Sequence, residues 1–225
     1  MSSIGTLPSA STATFDLSYL PQFVQIGDIQ SGASLNQVTI VARGKTLVQL
    51  TDATQIRAIQ TIENNLCGDT TGAQPVPLGT RFFLADGRIE GQSTLTFANG
   101  GMSSFNVYAN SLNKSASSMA RSISVSPVVA NGNAIFADFD LLLFDPSFVD
   151  TVQVTYENGW SEKLSPEELD GLFNSIQSTE TQGKVNGLTC ILGYRAPKGF
   201  RIQQAVIYAS ALGNANVTVS AWQNI

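Results

Sequence analysis

Apolar and polar residues alternate along most of the chain, and this alternation predicts β-strands rather than helices. Two segments depart from the alternation in the same way. The segment VARGKTLVQLTDATQI at 41–56 indicates a strand, a tight turn at Gly44, a second strand and the start of a helix. The segment YENGWSEKLSPEELDGL at 156–172 indicates the same features in the same order, with Gly159 in the equivalent turn. The repetition predicts one structural unit that occurs twice.

Both repeated segments contain residues that begin helices. Asp52 is placed to accept backbone N–H groups at the start of the first helix. In the second, Ser165 is the predicted cap, Pro166 is the first helical residue and Glu168 completes a capping box. The apolar residues expected to face the core are Ile56, Ile59 and Ile62 in the first helix and Leu169, Leu172, Phe173 and Ile176 in the second.

Strands surround both helices and set the expected domain boundaries. After each helix comes a polar loop and then three strands, so each half of the chain reads alike. We expect a flexible polar arm at 1–13, a first barrel at 14–112, a linker at 113–132 and a second barrel at 133–225. Few residue identities link the halves, so independent convergence on a common unit is the alternative explanation. The period is far longer than the 20–50 residues of solenoid repeats.

The composition favours a protein that packs against other copies. Charged residues make up 13% of the 225 residues, about half the usual share of roughly 25%. Depletion of charge is typical of the cores of protein interfaces, although a low-charge secreted protein would share it. The net charge of −5 and the scattered basic residues argue against a nucleic-acid surface. Residues 126–225 hold ten acidic and five basic residues and supply the whole imbalance.

The sequence offers little for catalysis or metal binding. It contains no histidine, which excludes histidine-based triads and most transition-metal sites. The glycines of GDIQSG at 27–32 lack the Lys-Ser/Thr that a phosphate loop requires. Asp138, Asp140 and Asp145 are interpreted as a solvated strand face rather than as a calcium or paired-carboxylate site. We therefore predict that the chain is not an enzyme and has no catalytic, cofactor-binding or metal-binding residue.

The cysteines and the N-terminal residues bear on the cellular environment. Cys67 lies at a predicted helix exit and Cys190 in an apolar strand, which indicates two buried free thiols and leaves a disulfide open. The N-terminal residues lack the basic and apolar regions of a signal peptide. No stretch approaches the roughly 18 apolar residues of a membrane span. A soluble protein made in a cytoplasm is the expectation.

The paired strand–turn–strand–helix segments, VARGKTLVQLTDATQIRAI and VTYENGWSEKLSPEELDGLF, resemble a known family. It comprises the double jelly-roll major capsid proteins of tailless icosahedral, membrane-containing bacterial viruses, in the adenovirus-hexon-like lineage. The resemblance covers nearly the whole chain and lies in architecture and order rather than in a signature motif. It implies an all-β fold of two tandem jelly-roll β-barrels, each with one short helix. About 110 residues per half leave little room for the long tower loops of larger members.

The resemblance also implies a function and a set of partners. Members of the family form homotrimers that act as pseudo-hexameric capsomers of an icosahedral virus shell, and they carry no catalytic residues. The implied partners are further copies of the chain, neighbouring capsomers, penton and minor capsid proteins and an internal viral membrane, without sequence-specific nucleic acid. The implied location is the capsid shell of the virion.

Two other classes remain open. A tandem β-sandwich carbohydrate- or receptor-binding module would be favoured by an exposed aromatic patch. A glycosidase would need two carboxylates facing each other in a cleft. Trp160 and Trp222 are too far apart in the strand pattern to predict a sugar-stacking platform.

Overall fold

Strands dominate the computed structural model, which describes residues 2–27, 35–66, 80–110, 116–174, 183–193 and 200–225. The chain divides into two units. The first unit comprises Met1–Ile123 together with Trp222–Ile225, and the second comprises Ser124–Ala221. Within these described residues each unit has one α-helix, so the expectation of an all-β chain with one short helix per half is confirmed.

The first unit contains eight complete strands and one helix in its described residues. In chain order they are β1 (Ser2–Leu7), β2 (Ser11–Leu20), β3 (Phe23–Ile26), β4 (Leu35–Ala42), β5 (Lys45–Leu50), α1 (Ala53–Leu66), β6 (Thr80–Phe83), β7 (Ile89–Asn99) and β8 (Phe105–Asn110).

The strands of the first unit pair as a long hairpin folded over on itself. The first strand pairs with the last, the second with the seventh, the third with the sixth and the fourth with the fifth. All four pairs are antiparallel, and they produce two four-stranded arrangements with the orders β1-β8-β3-β6 and β2-β7-β4-β5. This nested pairing over eight strands is a jelly roll.

The second unit repeats the same sequence of elements. Its described elements are β9 (Met119–Val128), β10 (Asn133–Ala137), β11 (Leu141–Phe144), a 3₁₀ turn (Pro146–Phe148), β12 (Val149–Tyr156), β13 (Ser161–Leu164), α2 (Pro166–Asn174), β14 (Gly183–Val185), β15 (Leu188–Leu192), β16 (Ile202–Ala209) and β17 (Ala215–Asn224). The boundary between the units falls inside β9 and inside β17.

The pairing of the second unit is nested in the same way. Strand β9 neighbours β17, β10 pairs with β16, β11 with β15 and β12 with β13. The short β14 adds one strand beside β15. The double jelly roll is therefore confirmed as the fold. The expectation of barrels is corrected, because the strands of the described residues form sheets with free edges and no closed barrel.

Apolar side chains from both sheets of each unit meet in a core. In the first unit the rings of Phe82 on β6 and Phe97 on β7 stack with their centroids 6.4 Å apart. In the second unit one cluster joins Phe144 on β11, Tyr156 on β12 and Ile207 on β16. The alternation seen in the sequence thus places one face of every long strand inward.

The helices begin where the sequence predicts. Asp52 accepts hydrogen bonds from the backbone N–H groups of Thr54 at 2.7 Å and Gln55 at 3.2 Å. Ser165 and Glu168 form the full capping box, because each side chain accepts from the backbone N–H of the other residue. Both predicted helix starts are confirmed.

The predicted apolar faces of the helices are confirmed for α1 and in part for α2. Ile56, Ile59 and Ile62 are all buried on α1, and Leu169 is fully buried on α2. Leu172 is partly exposed, short of the full burial of Leu169. The side chains of residues 173 and 176 lie outside the described residues.

The predicted N-terminal arm is wrong for most of its length. Ser2–Leu7 forms β1, which pairs with β8, and Leu7 is completely buried. The strand was not predicted because Ser2, Ser3 and Thr6 make it polar. It can be polar because β1 is the edge strand of its sheet, where most of its side chains stay at least partly exposed.

Two other boundaries also differ from expectation. The predicted linker at 113–132 contains β9, and the apolar run at 133–144 is two strands rather than one. Asp138 breaks this run with a φ of 53°, and the chain there passes from the sheet of β10 to that of β11. Because β11 is buried along its whole length, it lacks the alternation that marks a half-buried strand.

Candidate functional site

Each unit presents the outward side of one sheet as a surface with few charges. In the described residues, the outward face of the first unit presents Thr12, Thr14, Thr39, Val41, Thr94 and Thr96, with the charged residues Asp16 on β2 and Glu90 near the start of β7. In the described residues, the outward face of the second unit presents Ile135, Thr151, Gln153, Thr155, Gln204 and Val206, with the charged residues Lys163 on β13 and Asp150 at the bulge of β12. Faces with few charges lose little hydration free energy when another surface covers them.

The buried Cys190 is unsuited to covalent or metal chemistry. Burial raises the pKa of the Cys190 thiol far above its usual value, and the charge of Asp170 raises it further. This keeps the free thiol protonated and unreactive. Cys67 lies outside the described residues. Among the residues described, no group of three or more histidine, cysteine or acidic side chains is placed to hold a metal ion.

The three aspartates that the sequence singled out do not form a shared site. Asp138 and Asp140 lie in the connection between β10 and β11 rather than on a strand face, so that interpretation was wrong. Asp138 is exposed and Asp140 is half-buried. Asp145 caps the 3₁₀ turn by accepting a 2.9 Å hydrogen bond from the backbone N–H of Ser147. The structure explains Asp145 by local folding alone.

One end of each unit is formed by the β4–β5 or β12–β13 turn. In the first unit the turn consists of Arg43 and Gly44, both at positive φ. The Arg43 guanidinium donates to the backbone oxygens of Glu90 at 2.7 Å and Ile225 at 2.9 Å, which fastens this end. In the second unit the backbone N–H of Glu157, in the longer turn, donates to the backbone oxygen of Arg201 at 2.9 Å. Arg201 directly precedes β16.

The two turns differ in the side chains that they expose. In the second unit Trp160 is 52% exposed at the turn and Phe200 is 41% exposed beside Arg201. The first unit has no exposed large apolar side chain at the corresponding turn within the described residues. The second turn therefore carries an aromatic surface that the first lacks.

At the opposite end of each unit, a loop tip exposes an aliphatic side chain. Met102 in the β7–β8 connection is 98% exposed, and Leu212 in the β16–β17 connection is 79% exposed. Both loops are tied to the first connection of their own unit, by Ala10 N–H to Gly101 O at 2.9 Å and by Asn131 N–H to Ser210 O at 3.2 Å. The two positions are structurally equivalent.

A buried ion pair lies within the first unit. Glu63 on α1 and Arg121 on β9 are in direct contact, with side-chain exposures of 2% and 7%. The second carboxylate oxygen of Glu63 accepts the backbone N–H of Phe83 at 3.2 Å, and the Arg121 N–H donates to Leu84 O at 2.8 Å. The pair joins α1, β6 and β9, and sequence reasoning missed it because Arg121 fell in the supposed linker.

A small cavity opens beside the start of β9. It measures about 130 Å³ and is lined by Asp86, Met119 and Trp222. Trp222 is 40% exposed, and Asp86 is exposed at the rim. No sequence motif points to this site, since its three residues are brought together only by the fold.

None of the described helices is long and apolar enough to cross a membrane. No known family model matches the sequence, and no curated protein matches it. Solved structures do match the chain over nearly its full length.

The crystal structure of the major capsid protein P2 from bacteriophage PM2 superimposes with a TM-score of 0.65 at 10% identity. The match covers 100% of this chain and 95% of that protein. The chain has the double jelly-roll fold of viral major capsid proteins. The resemblance expected from the paired segments is thereby confirmed for the fold.

Structures from Sulfolobus turreted icosahedral virus agree. The crystal structure of the STIV MCP matches with a TM-score of 0.59 at 11% identity, covering 97% of this chain and 93% of that one. A chain from the atomic structure of the virus matches with a TM-score of 0.57 at 10% identity, covering 97% and 87%. At 10–11% sequence identity, these structures share the fold with the chain.

Proposed function

We propose that the chain is the major capsid protein of an icosahedral virus and assembles as a homotrimer into pseudo-hexameric capsomers. The observation that carries this proposal is the end-to-end correspondence with the PM2 major capsid protein, both jelly rolls included. In such a capsomer each jelly roll stands upright in the shell. Three chains with two jelly rolls each would place six jelly rolls around a threefold axis. The role is structural, and the location is the virion shell after synthesis in the host cytoplasm.

The outward faces support lateral contacts between copies. Each face presents mainly threonine, glutamine and aliphatic side chains, with few charges among the described residues. Such side chains can be covered by another surface at low desolvation cost.

The test is to place a charge at the centre of each outward face. Thr39→Glu and Val206→Glu should leave the monomer folded and abolish trimers, because a carboxylate would be desolvated in the contact. Ser103→Glu, at an exposed loop position off both faces, is the matched control. Light scattering after size exclusion should give three times the 23.9 kDa chain mass for wild type and for the control.

Electron microscopy completes the test. Wild-type protein should show pseudo-hexagonal capsomers or closed shells, and shells recovered from infected cells should contain this chain as their main component. Penton proteins, minor capsid proteins and an internal membrane are the partners to be sought in those shells. A wild-type chain that stays monomeric at every concentration would reject the proposal.

A second candidate function rests on the aromatic surface formed by Trp160 and Phe200. Exposed aromatic rings at one end of a jelly roll are suited to stacking on sugar rings, as a carbohydrate- or receptor-binding module requires. Trp160→Ala should abolish retention on immobilised glycans if this function holds. Glycan binding by a stable monomer, without any assembly, would replace the capsid role.

A further inference from the structure

The cavity lined by Asp86, Met119 and Trp222 has walls that the fold holds in place. The backbone N–H of Asp86 donates to Met119 O at 3.2 Å, which fixes two walls relative to each other. Just beyond Trp222, the Ile225 N–H donates to Ser118 O at 2.9 Å. The third wall is therefore bonded to the strand that supplies Met119, and the site is formed before any ligand arrives.

The chemistry of these walls suits an organic cation. The face of an indole ring attracts a cation that lies within about 6 Å of it, and a neighbouring carboxylate adds a charge-assisted hydrogen bond. Among the described residues, Asp86 has no hydrogen bond or ion pair through its carboxylate. The basic residue nearest in sequence, Arg88, lies 4.2 Å from the Tyr19 ring centroid and pairs with Glu90 at 2.8 Å.

The same unit contains a complete example of this arrangement. Arg88 supplies the cation, Tyr19 the aromatic face and Glu90 the carboxylate. In the second unit Lys163 lies 4.3 Å from the centroid of the Tyr208 ring. The cavity is lined by Trp222 and Asp86, residues that carry an indole ring and a carboxylate, and a cation from outside would complete the set.

We propose that this cavity binds the ammonium group of a lysine from a second copy of the chain. A volume of about 130 Å³ equals the liquid volume of about four water molecules, which suits the end of one side chain. A lysine carries a compact charge on a flexible stem, whereas a guanidinium is best matched by a two-pronged carboxylate contact. The second copy as the source of the lysine rests on the proposed capsid function.

The first experiment tests the cavity in the isolated chain. Trp160→Phe leaves Trp222 as the single tryptophan, so its fluorescence reports on the site. Titration with n-butylammonium chloride should give a saturable change that sodium chloride and n-butanol do not give. Asp86→Asn should weaken this binding about tenfold, whereas Asp138→Asn, at an exposed aspartate of the other unit, should leave it unchanged. No saturable response, or tighter binding of methylguanidinium, would overturn the lysine assignment.

The second experiment identifies the source of the ammonium group. Assemblies made from equal amounts of ¹⁴N- and ¹⁵N-labelled chains are treated with a carbodiimide, which joins a carboxylate to an amine in contact. An Asp86–lysine cross-link between light and heavy peptides, absent from Asp86→Asn, is the expected result. Normal assembly with no such cross-link would overturn this inference alone. A chain that fails to assemble but shows the fluorescence response would remove the proposed function, and with it the second copy as the source.

Discussion

The two jelly rolls share their strand order and differ in how they hold their helices. In the first unit α1 has fourteen residues, three buried isoleucines and a buried ion pair from Glu63 to Arg121. In the second unit α2 has nine residues, a complete capping box and a single fully buried leucine among its described side chains. The same topology is thus maintained by different interactions in its two copies.

This difference shows which parts of a repeated fold are constrained. Nested antiparallel pairing requires only that strands alternate and that turns occur at the right places, so both units satisfy it with few shared residues. Attachment of a helix to the strands beneath it depends on individual side chains, and the two units use different side chains for it. Trp160 lies in the second unit and Trp222 in the first, so variants with one tryptophan place one probe in each unit.

The largest effect is expected from breaking the buried ion pair. Glu63→Gln leaves the Arg121 charge buried without its partner carboxylate, and such a loss costs about 3–5 kcal/mol. Urea unfolding followed by Trp222 fluorescence, in a Trp160→Phe background, should shift to a lower midpoint. The Trp160 signal of the second unit, in a Trp222→Phe background, should shift less.

A double variant separates the cost of an unpaired charge from the net contribution of the pair. Glu63→Gln with Arg121→Met removes both charges and keeps an acceptor for the Phe83 N–H, so most of the lost stability should return. An unchanged midpoint in Glu63→Gln alone would show that the pair does not hold α1 in place.

The next effect compares the apolar anchors of the two helices. Ile59→Ala and Leu169→Ala each truncate a fully buried side chain, and such truncations cost about 2–5 kcal/mol. Each should lower the urea midpoint reported by the tryptophan of its own unit. Leu172→Ala, at a half-buried position, is the control and should cost clearly less. Equal losses for Leu169 and Leu172 would contradict the burial difference between them.

The particular residues also show how far the sequence predicts the fold. The two hairpins, the helix starts at Asp52 and Ser165 and the buried face of α1 all follow from local patterns, so they were predictable. Strand β1 was missed because an edge strand can be polar on most of its positions. The Glu63–Arg121 pair spans 58 residues, and the cavity joins Asp86 to Trp222. No local pattern encodes contacts of that range.

A smaller effect is expected from the helix caps. Asp52→Ala and Ser165→Ala each remove a side chain that accepts a backbone N–H, which costs about 0.5–2 kcal/mol. The shorter α2 should lose more helix, since fewer turns remain to offset a lost cap. Glu167→Ala removes an exposed charge from the same first turn without a capping bond, and it serves as the control. The measurement is the thermal midpoint followed by far-ultraviolet circular dichroism.

The smallest effect on stability at neutral pH is expected from replacing Tyr156, at the end of β12. This effect is also the one most specific to a single unit. Burial, together with the charge of Glu162 and a hydrogen bond to it, raises the pKa of Tyr156 from 10.0 to about 12. Between pH 10 and pH 12 the unfolded chain therefore releases this proton while the folded chain keeps it, so the free energy of unfolding falls as the pH rises. The contribution is complete below pH 10 and is lost as the pH approaches 12.

Tyr156→Phe should flatten this decline when Trp160 fluorescence is followed in urea at pH 9 and pH 11. The first unit has Ala42 at the end of the corresponding strand β4, so its Trp222 signal should decline equally in both proteins. A decline of the Trp160 signal that is unchanged by Tyr156→Phe would assign the alkaline sensitivity of the second unit to another group.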